Sequence, residues 1–260
     1  MKLPICVRVG ACRASFYFFA VEGFFVVRRK IIQVLKSIGY HFNDRDNEIS
    51  VIRRLHEEAV EESLEFVRER IDGAALFWDA PELRRYVIDK AVSGPLRDEL
   101  FMEFGVFRGR TLKVFAERMK AGQSNQTIYG FDAFEGLRDH WSNINYPSGA
   151  FNLRGKTPRV PDNAELVVGW VEDTLEAFLR RHAKKKVAFL HIDMDVYPPT
   201  AFVLRKTRQI CVPGTIILFD EFHGYPGWKN YEYKAFLENY DEDAFEYIGF
   251  SKMQCAIKIK

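Results

Sequence analysis

Residues 100–109 read LFMEFGVFRG. An apolar run broken only by Glu103 leads into a turn bracketed by Gly105 and Gly109. An amphipathic stretch from Thr111 to Met119 follows. That is the pattern of a buried strand turning sharply into a helix. Working outward toward the C-terminus, the same alternation recurs. Strands are expected at TIYGFD (127–132), AELVVG (164–169), VAFLHID (187–193) and GTIILFD (214–220). Helices are expected from Asp173 to His182, Pro199 to Gln209 and Trp228 to Glu238, and a long loop with Pro147, Gly149, Gly155, Pro158 and Pro161 fills the space before residue 164. Strands separated by helices predict parallel βαβ units, hence an α/β fold with a mostly parallel sheet covered on both faces. The last two runs, FEYIGF (245–250) and QCAIKIK (254–260), are close enough to pair as a hairpin, so the last strand is expected to be antiparallel.

Upstream, the pattern is helical. Residues 48–72 carry Ile52, Leu55, Ala59, Leu64 and Val67 at helical spacing, and Pro81 is placed to open a second helix that Gly94 and Pro95 end. We therefore divide the chain into a helical N-terminal extension, residues 1–77, and an α/β domain, residues 78–260. The stretch SFYFFAVEGFFVV (15–27) is too short to span a bilayer and contains Glu22 and Gly23. It reads as a buried or homo-oligomer-facing segment rather than a membrane contact.

Composition narrows the function classes. The 260 residues hold 38 Lys and Arg against 36 Asp and Glu, a formal charge of +2, which offers nothing to attract nucleic acid or an anionic membrane. Cys6, Cys12, Cys211 and Cys255 form no C-x-x-C pair and lie beside no histidine cluster. Reduced cysteines packed as small hydrophobes fit a cytoplasmic protein better than zinc or disulfides do.

In open sheets of this kind, ligands bind at the carboxyl ends of the strands. Those ends hold Glu103, Asp132, Gly169, Asp193 and Asp220. Phe107 stands where a dinucleotide-binding turn needs its middle glycine, and Glu103 would repel a pyrophosphate. An ammonium group is welcome there instead, and S-adenosylmethionine carries one together with a sulfonium. The expected donor site comprises Glu103, Phe104, Gly105, Val106, Arg108, Gly109 and Thr111 in the first turn. It continues with Asp132, Ala133 and Phe134 after the second strand, Gly169 and Trp170 after the third, and Asp193 after the fourth. Asp132 is placed to accept hydrogen bonds from ribose hydroxyls, and Trp170 to lie beside adenine, although a helix cap and core packing explain these two residues as well. Asp193, Asp195, Asp220 and Glu221 end two neighbouring strands. Four carboxylates at one edge call for protonation or a cation, and hard oxygen ligands suit Mg2+. Such a cation would lower the pKa of a bound hydroxyl. His223 is a candidate general base, whereas His191, inside an apolar strand, reads as a core residue. Trp141, Tyr146, Tyr225 and Trp228 are candidates for an acceptor pocket.

The blocks EFGVFRG (103–109), YGFDAFEGL (129–137), GWVEDTL (169–175), FLHIDMDVYPPT (189–200) and FDEFHGYPGW (219–228), with APELRRYVIDKAV (80–92), resemble the macrocin O-methyltransferase family of class I S-adenosylmethionine-dependent methyltransferases. The resemblance spans about residues 78–260. It implies a Rossmann-like seven-stranded sheet, S-adenosylmethionine as methyl donor, often Mg2+, and a sugar or other natural-product hydroxyl as acceptor. By position it assigns Asp193, Asp220 and Glu221 to the metal. Many relatives have two aspartates where this chain has Asp220-Glu221. A nicotinamide-dependent oxidoreductase on a similar sheet, and a non-catalytic methyltransferase-like subunit, are the competing readings.

Overall fold

The computed structural model describes residues 51–141, 144 and 146–260. The 15–27 segment, Cys6, Cys12 and the start of the first expected helix lie outside the described residues. Everything below lies within the unit Val51–Lys260.

The elements run α1 (Val51–Arg68), β1 (Ala75–Leu76), α2 (Ala80–Ser93), β2 (Leu100–Phe104), α3 (Arg110–Ala121), β3 (Ile128–Asp132) and β4 (Ala164–Val168). They continue with α4 (Val171–Arg181), β5 (Val187–Ile192), α5 (Tyr197–Thr207), β6 (Ile216–Phe219), α6 (Glu232–Leu237), β7 (Phe245–Phe250) and β8 (Cys255–Ile259). The eight strands form one sheet in the order β1-β7-β8-β6-β5-β2-β3-β4. Every pairing is parallel except those of β8, which runs antiparallel to both β6 and β7. The seven expected strands are all present. The eighth, β1, is a two-residue edge strand within a segment read as helical.

Strands β2, β5 and β6 are buried at every residue, because helices cover both faces. One apolar cluster joins Leu83, Val87 and Ile88 of α2 and Leu112 and Phe115 of α3 to Phe101, Ile128, Phe189 and Leu218. The other joins Phe66 of α1, Leu175 and Phe178 of α4, Val203 and Leu204 of α5 and Phe236 of α6 to Met102, Phe104, Leu190 and Phe219. Helix α2 starts where the sequence signals it: the Asp79 side chain accepts a hydrogen bond from the Glu82 amide at 2.9 Å, and Pro81 occupies the first turn. Helix α4 opens with Glu172 and Asp173 and closes with Arg180 and Arg181, matching its dipole at both ends.

Two helices differ from expectation. In α1 the buried residues are Ala59, Ser63 and Phe66, whereas Ile52, Leu55 and Leu64 are exposed. Phe66 decides the rotation. Its ring packs among Phe222, Trp228, Tyr233, Tyr247 and Phe250 at centroid distances of 5.3–6.0 Å, and Ser63 accepts a hydrogen bond from the Gly224 amide. The helix expected from Trp228 to Glu238 breaks at Tyr231, whose ψ of −119° is not helical, leaving a 3-10 turn (Trp228–Asn230) before α6. The break lets Trp228 sink into the aromatic cluster and turns Glu232 toward the amide of Glu221, 3.0 Å away. Among the described residues no helix is long and apolar enough to cross a membrane.

Candidate active site

Backbone hydrogen bonding continues past the strand ends and gathers the candidate residues. Gly105 N–H donates to Phe131 O (3.0 Å), Asp193 N–H to Phe104 O (2.8 Å), Gly169 N–H to Asp132 O (3.0 Å) and Asp220 N–H to Ile192 O (3.0 Å). Gly105 has φ of +91°, and a Cβ built on it would lie 1.6 Å from the carbonyl oxygen of Asp193. Only glycine fits a crossing that close. Asp132 secures the turn that follows β2: Oδ2 accepts from the Val106 and Phe107 amides at 2.8 and 2.7 Å, and Oδ1 accepts from the Phe134 amide at 2.6 Å. These bonds hold Phe107 and Phe134 in left-handed conformations with φ of +47° and +56°. Such strain persists only where its surroundings impose it.

Above these ends lies a cavity of about 590 Å³. Of the expected donor-site residues, Gly105, Asp132, Ala133, Gly169, Trp170 and Asp193 line it. Glu103, Phe104, Val106, Arg108, Gly109, Thr111 and Phe134 do not. Phe104 stacks on Phe131 in the core at 4.7 Å, and Val106 and Phe134 are buried. Arg108 is exposed, and Gly109 caps α3. Glu103, expected to meet an ammonium group, lies beneath the cavity, 1% exposed, with Oε1 3.0 Å from His191 Nδ1. The two residues are register partners on β2 and β5, so their side chains meet within the sheet. Burial raises the Glu103 carboxyl above its usual range, against the opposing hydrogen bond from His191.

Phe107 lines the cavity although the sequence reading treated it only as an obstruction to pyrophosphate. Over the opening, the long loop contributes Trp141, Tyr146 and Phe151. Tyr146 and Phe151 lie 4.9 Å apart, and Phe151 meets Phe107 edge-on at 5.5 Å. Arg138 lies over the Trp170 ring at 4.0 Å. Of the four aromatics expected around an acceptor, Trp141 and Tyr146 line the cavity, while Tyr225 and Trp228 are buried behind it.

Asp193, Asp195 and Glu221 form the acidic wall of the cavity. One carboxylate oxygen from each lies within 4.8 Å of the others, and a second, overlapping group consists of His191, Asp193 and Asp220. Burial, followed by the charges of Asp220 and Asp195, raises the Asp193 carboxyl well above its usual range. Burial and the charges of Asp220 and Asp132 raise Asp195 to about 7. Burial and Asp220 also raise Glu221. Asp220 behaves in the opposite way. Burial would raise it, but the hydrogen bond and charge of His191, together with Arg84, hold it well below the carboxylate range. Its Oδ1 lies 2.5 Å from Arg84 Nη2 and 3.3 Å from His191 Nε2, and it also accepts a hydrogen bond from the Gln254 side chain.

His223, suggested by the sequence as a base, is turned away from the cavity. It is 5% exposed, lies outside the cavity lining, and packs about 6 Å from the rings of Phe66 and Phe250. Burial pushes its imidazole down to about 4, with a backbone contact to Gln254 opposing this only in part. The sequence reading also missed Arg84, Gln254 and Glu232. Arg84 had a signal: it shares a helical stripe with Ile88 and Ala91, both buried, so a charge there needs a buried partner. Nothing comparable marks Gln254 or Glu232.

Residues 102–222 match a family model described as a methyltransferase domain. The matched domain begins within β2 and ends just past β6, so it holds the ends of β2 to β6, while Met253 of the β7–β8 turn lines the cavity from outside it. Its architecture recurs in solved structures. CalS11, a calicheamicin methyltransferase, is 20% identical over 84% of this chain and 94% of that one, with a TM-score of 0.56. The O-methyltransferase NovP is 19% identical over 69% of this chain and 79% of that one, with a TM-score of 0.52. At these identities the likeness establishes the fold. No curated protein matches the chain.

Proposed function

We propose that this chain transfers the methyl group of S-adenosylmethionine to a hydroxyl oxygen of a small molecule, with a divalent cation held at Asp193 and Glu221. One observation carries this reading: Gly105, Asp132, Trp170 and Asp193 converge on a single cavity whose far wall is a cluster of carboxylates. Gly105 presents bare backbone to the donor, the space of its missing side chain being taken by the Asp193 carbonyl. Asp132 spends its carboxylate on three amides: Oδ2 takes two, and Oδ1, which takes one, keeps a lone pair for a ribose hydroxyl. Trp170 offers a face for adenine. The negative wall favours the sulfonium, and Phe107 in place of a glycine disfavours a nicotinamide dinucleotide.

The acidic wall fits a hard cation. All its donors are carboxylate oxygens, and Glu221 Oε2 is buried without a hydrogen-bond partner. When bound, Mg2+ or Mn2+ supplies charge that makes an adjacent hydroxyl more acidic. Trp141 and Tyr146 orient the acceptor so that its oxygen lies in line with the methyl–sulfur bond. The oxygen–methyl bond forms as that bond breaks, its electron pair stays on sulfur, and the hydroxyl's proton passes to solvent water.

The reading places the protein in the macrocin O-methyltransferase family, in the cytoplasm, with residues 78–260 as the catalytic unit. CalS11 is described as a TDP-rhamnose 3'-O-methyltransferase, so sugar hydroxyls are the first acceptors to try. Methyl transfer from labelled donor, assayed over a panel of glycosides, should be abolished by EDTA, restored by Mg2+, and reduced at least ~100-fold in Asp193→Ala. Turnover indifferent to both chelator and substitution would remove the cation from the mechanism.

A further inference from the structure

The two groups able to hold a cation share Asp193 but differ in what completes them: His191 and Asp220, or Asp195 and Glu221. We infer that Arg84 takes Asp220 out of the cation set, so that the divalent cation binds Asp193, Asp195 and Glu221. This assignment rests on the cation reading above and departs from the Asp193, Asp220 and Glu221 set that the family resemblance implies.

Three donors already converge on Asp220 Oδ1: the Arg84 guanidinium, His191 Nε2 and the Gln254 side-chain amide. Oδ1 so engaged has no lone pair left for a metal; Oδ2 takes none of these three bonds, but it belongs to a residue outside the cavity lining. A divalent cation beside it would also face the fixed positive charge of Arg84. Arg84 is built in for this purpose: it projects from the face of α2 that otherwise buries Ile88 and Ala91, and its side chain is only 21% exposed. Asp220 does not line the cavity, whereas Asp193, Asp195 and Glu221 all do.

The backbone supports the alternative triad. Asp195 sits in the left-handed region at φ +64°, two residues after Asp193, which folds its carboxylate back beside that of Asp193. Aspartate is among the few non-glycine residues that visit this region. Glu221 is held from below, its amide donating to the fully buried Glu232 carboxylate. Its own Oε2, buried and without a hydrogen-bond partner, is an oxygen still lacking a cation or proton. The extra methylene of Glu221 relative to aspartate gives it the reach to join a triad centred on Asp195.

The test is Mn2+ binding to the full chain without donor or acceptor, followed by the EPR signal of free Mn2+. Both variants are isosteric, and asparagine tolerates the left-handed turn at 195. Asp195→Asn should weaken Mn2+ by ~100-fold, and Asp220→Asn by less than ~10-fold, the lower end of what a residue outside the ligand set costs. A loss in Asp220→Asn equal to or greater than that in Asp195→Asn overturns the assignment. If circular dichroism shows that Asp220→Asn does not fold, Asp195→Asn decides alone, and unchanged Mn2+ affinity overturns it. A wild-type chain that binds no Mn2+ overturns the cation reading itself and this assignment with it, whereas donor binding is judged separately by calorimetry.

Discussion

Gly105→Ala should lose measurable S-adenosylhomocysteine binding and unfold at a lower temperature. The added methyl group would sit 1.6 Å from the Asp193 carbonyl oxygen, at a φ of +91° that side chains rarely adopt. Relief requires the chains to separate where Phe104 ends β2 and Asp193 follows β5, two residues joined by the 2.8 Å Asp193 N–H to Phe104 O bond. Left-handed strain and overpacking together cost about 3 kcal/mol or more. In a unit of this size that lowers the unfolding temperature by roughly 10 °C. Circular dichroism melts and isothermal titration calorimetry on the same sample read both effects. A variant that melts and binds like wild type would mean that the two backbones do not cross at Gly105.

Arg84→Met should be the most destabilising single change around the acidic edge. It keeps the length of the side chain but leaves Asp220 charged and 15% exposed, with His191 and Gln254 as its remaining donors. Breaking such a pair from one side costs about 3–5 kcal/mol when fully buried, and the residual exposure here places the expectation near 3. The effect should depend on pH. Because the folded-state pKa of Asp220 is depressed, its contribution to stability is present above the unfolded-state value of about 3.9 and lost as pH falls through the folded value. Removing Arg84 removes part of that contribution, so the deficit should be full from pH 7 down to about pH 4 and narrow only below that, as Asp220 takes up its proton. Urea unfolding of both proteins from pH 7 to about pH 2 measures it. A deficit that is constant with pH would show that Arg84 stabilises by packing rather than by charge.

Much of this architecture is legible in the residues themselves. Runs such as VAFLHI and IILF are apolar throughout because helices bury both sides of the strand, and each ends at a glycine or acid that leaves the sheet. The gathering of Asp132, Gly169 and Asp193 at one edge follows directly from parallel strands. Direction within an element is harder to read. Glu103 lies one residue before the end of β2, and the pairing partner that captures it, His191, is set by strand register rather than by local pattern. His223 is polar and close in sequence to Glu221, yet the loop turns it into an aromatic cluster anchored by Phe66, more than 150 residues upstream. The rotation of α1 was misread for the same reason: aromatic packing with distant residues outweighed the spacing of Ile52, Leu55 and Leu64. Asp195 appeared as one of four clustered carboxylates, but its left-handed backbone, its place in the cavity wall and the Arg84 contact that sets Asp220 apart are all fixed by the tertiary fold.

The most direct measurement is calorimetric titration of the purified full-length chain with S-adenosylhomocysteine, alongside NAD+ as a control. Saturable binding at one site per chain, at micromolar ligand and with no heat from NAD+, is the predicted result. Absence of saturation by S-adenosylhomocysteine up to millimolar concentration, or tighter binding of NAD+, would contradict a methyl-donor site at the ends of these strands.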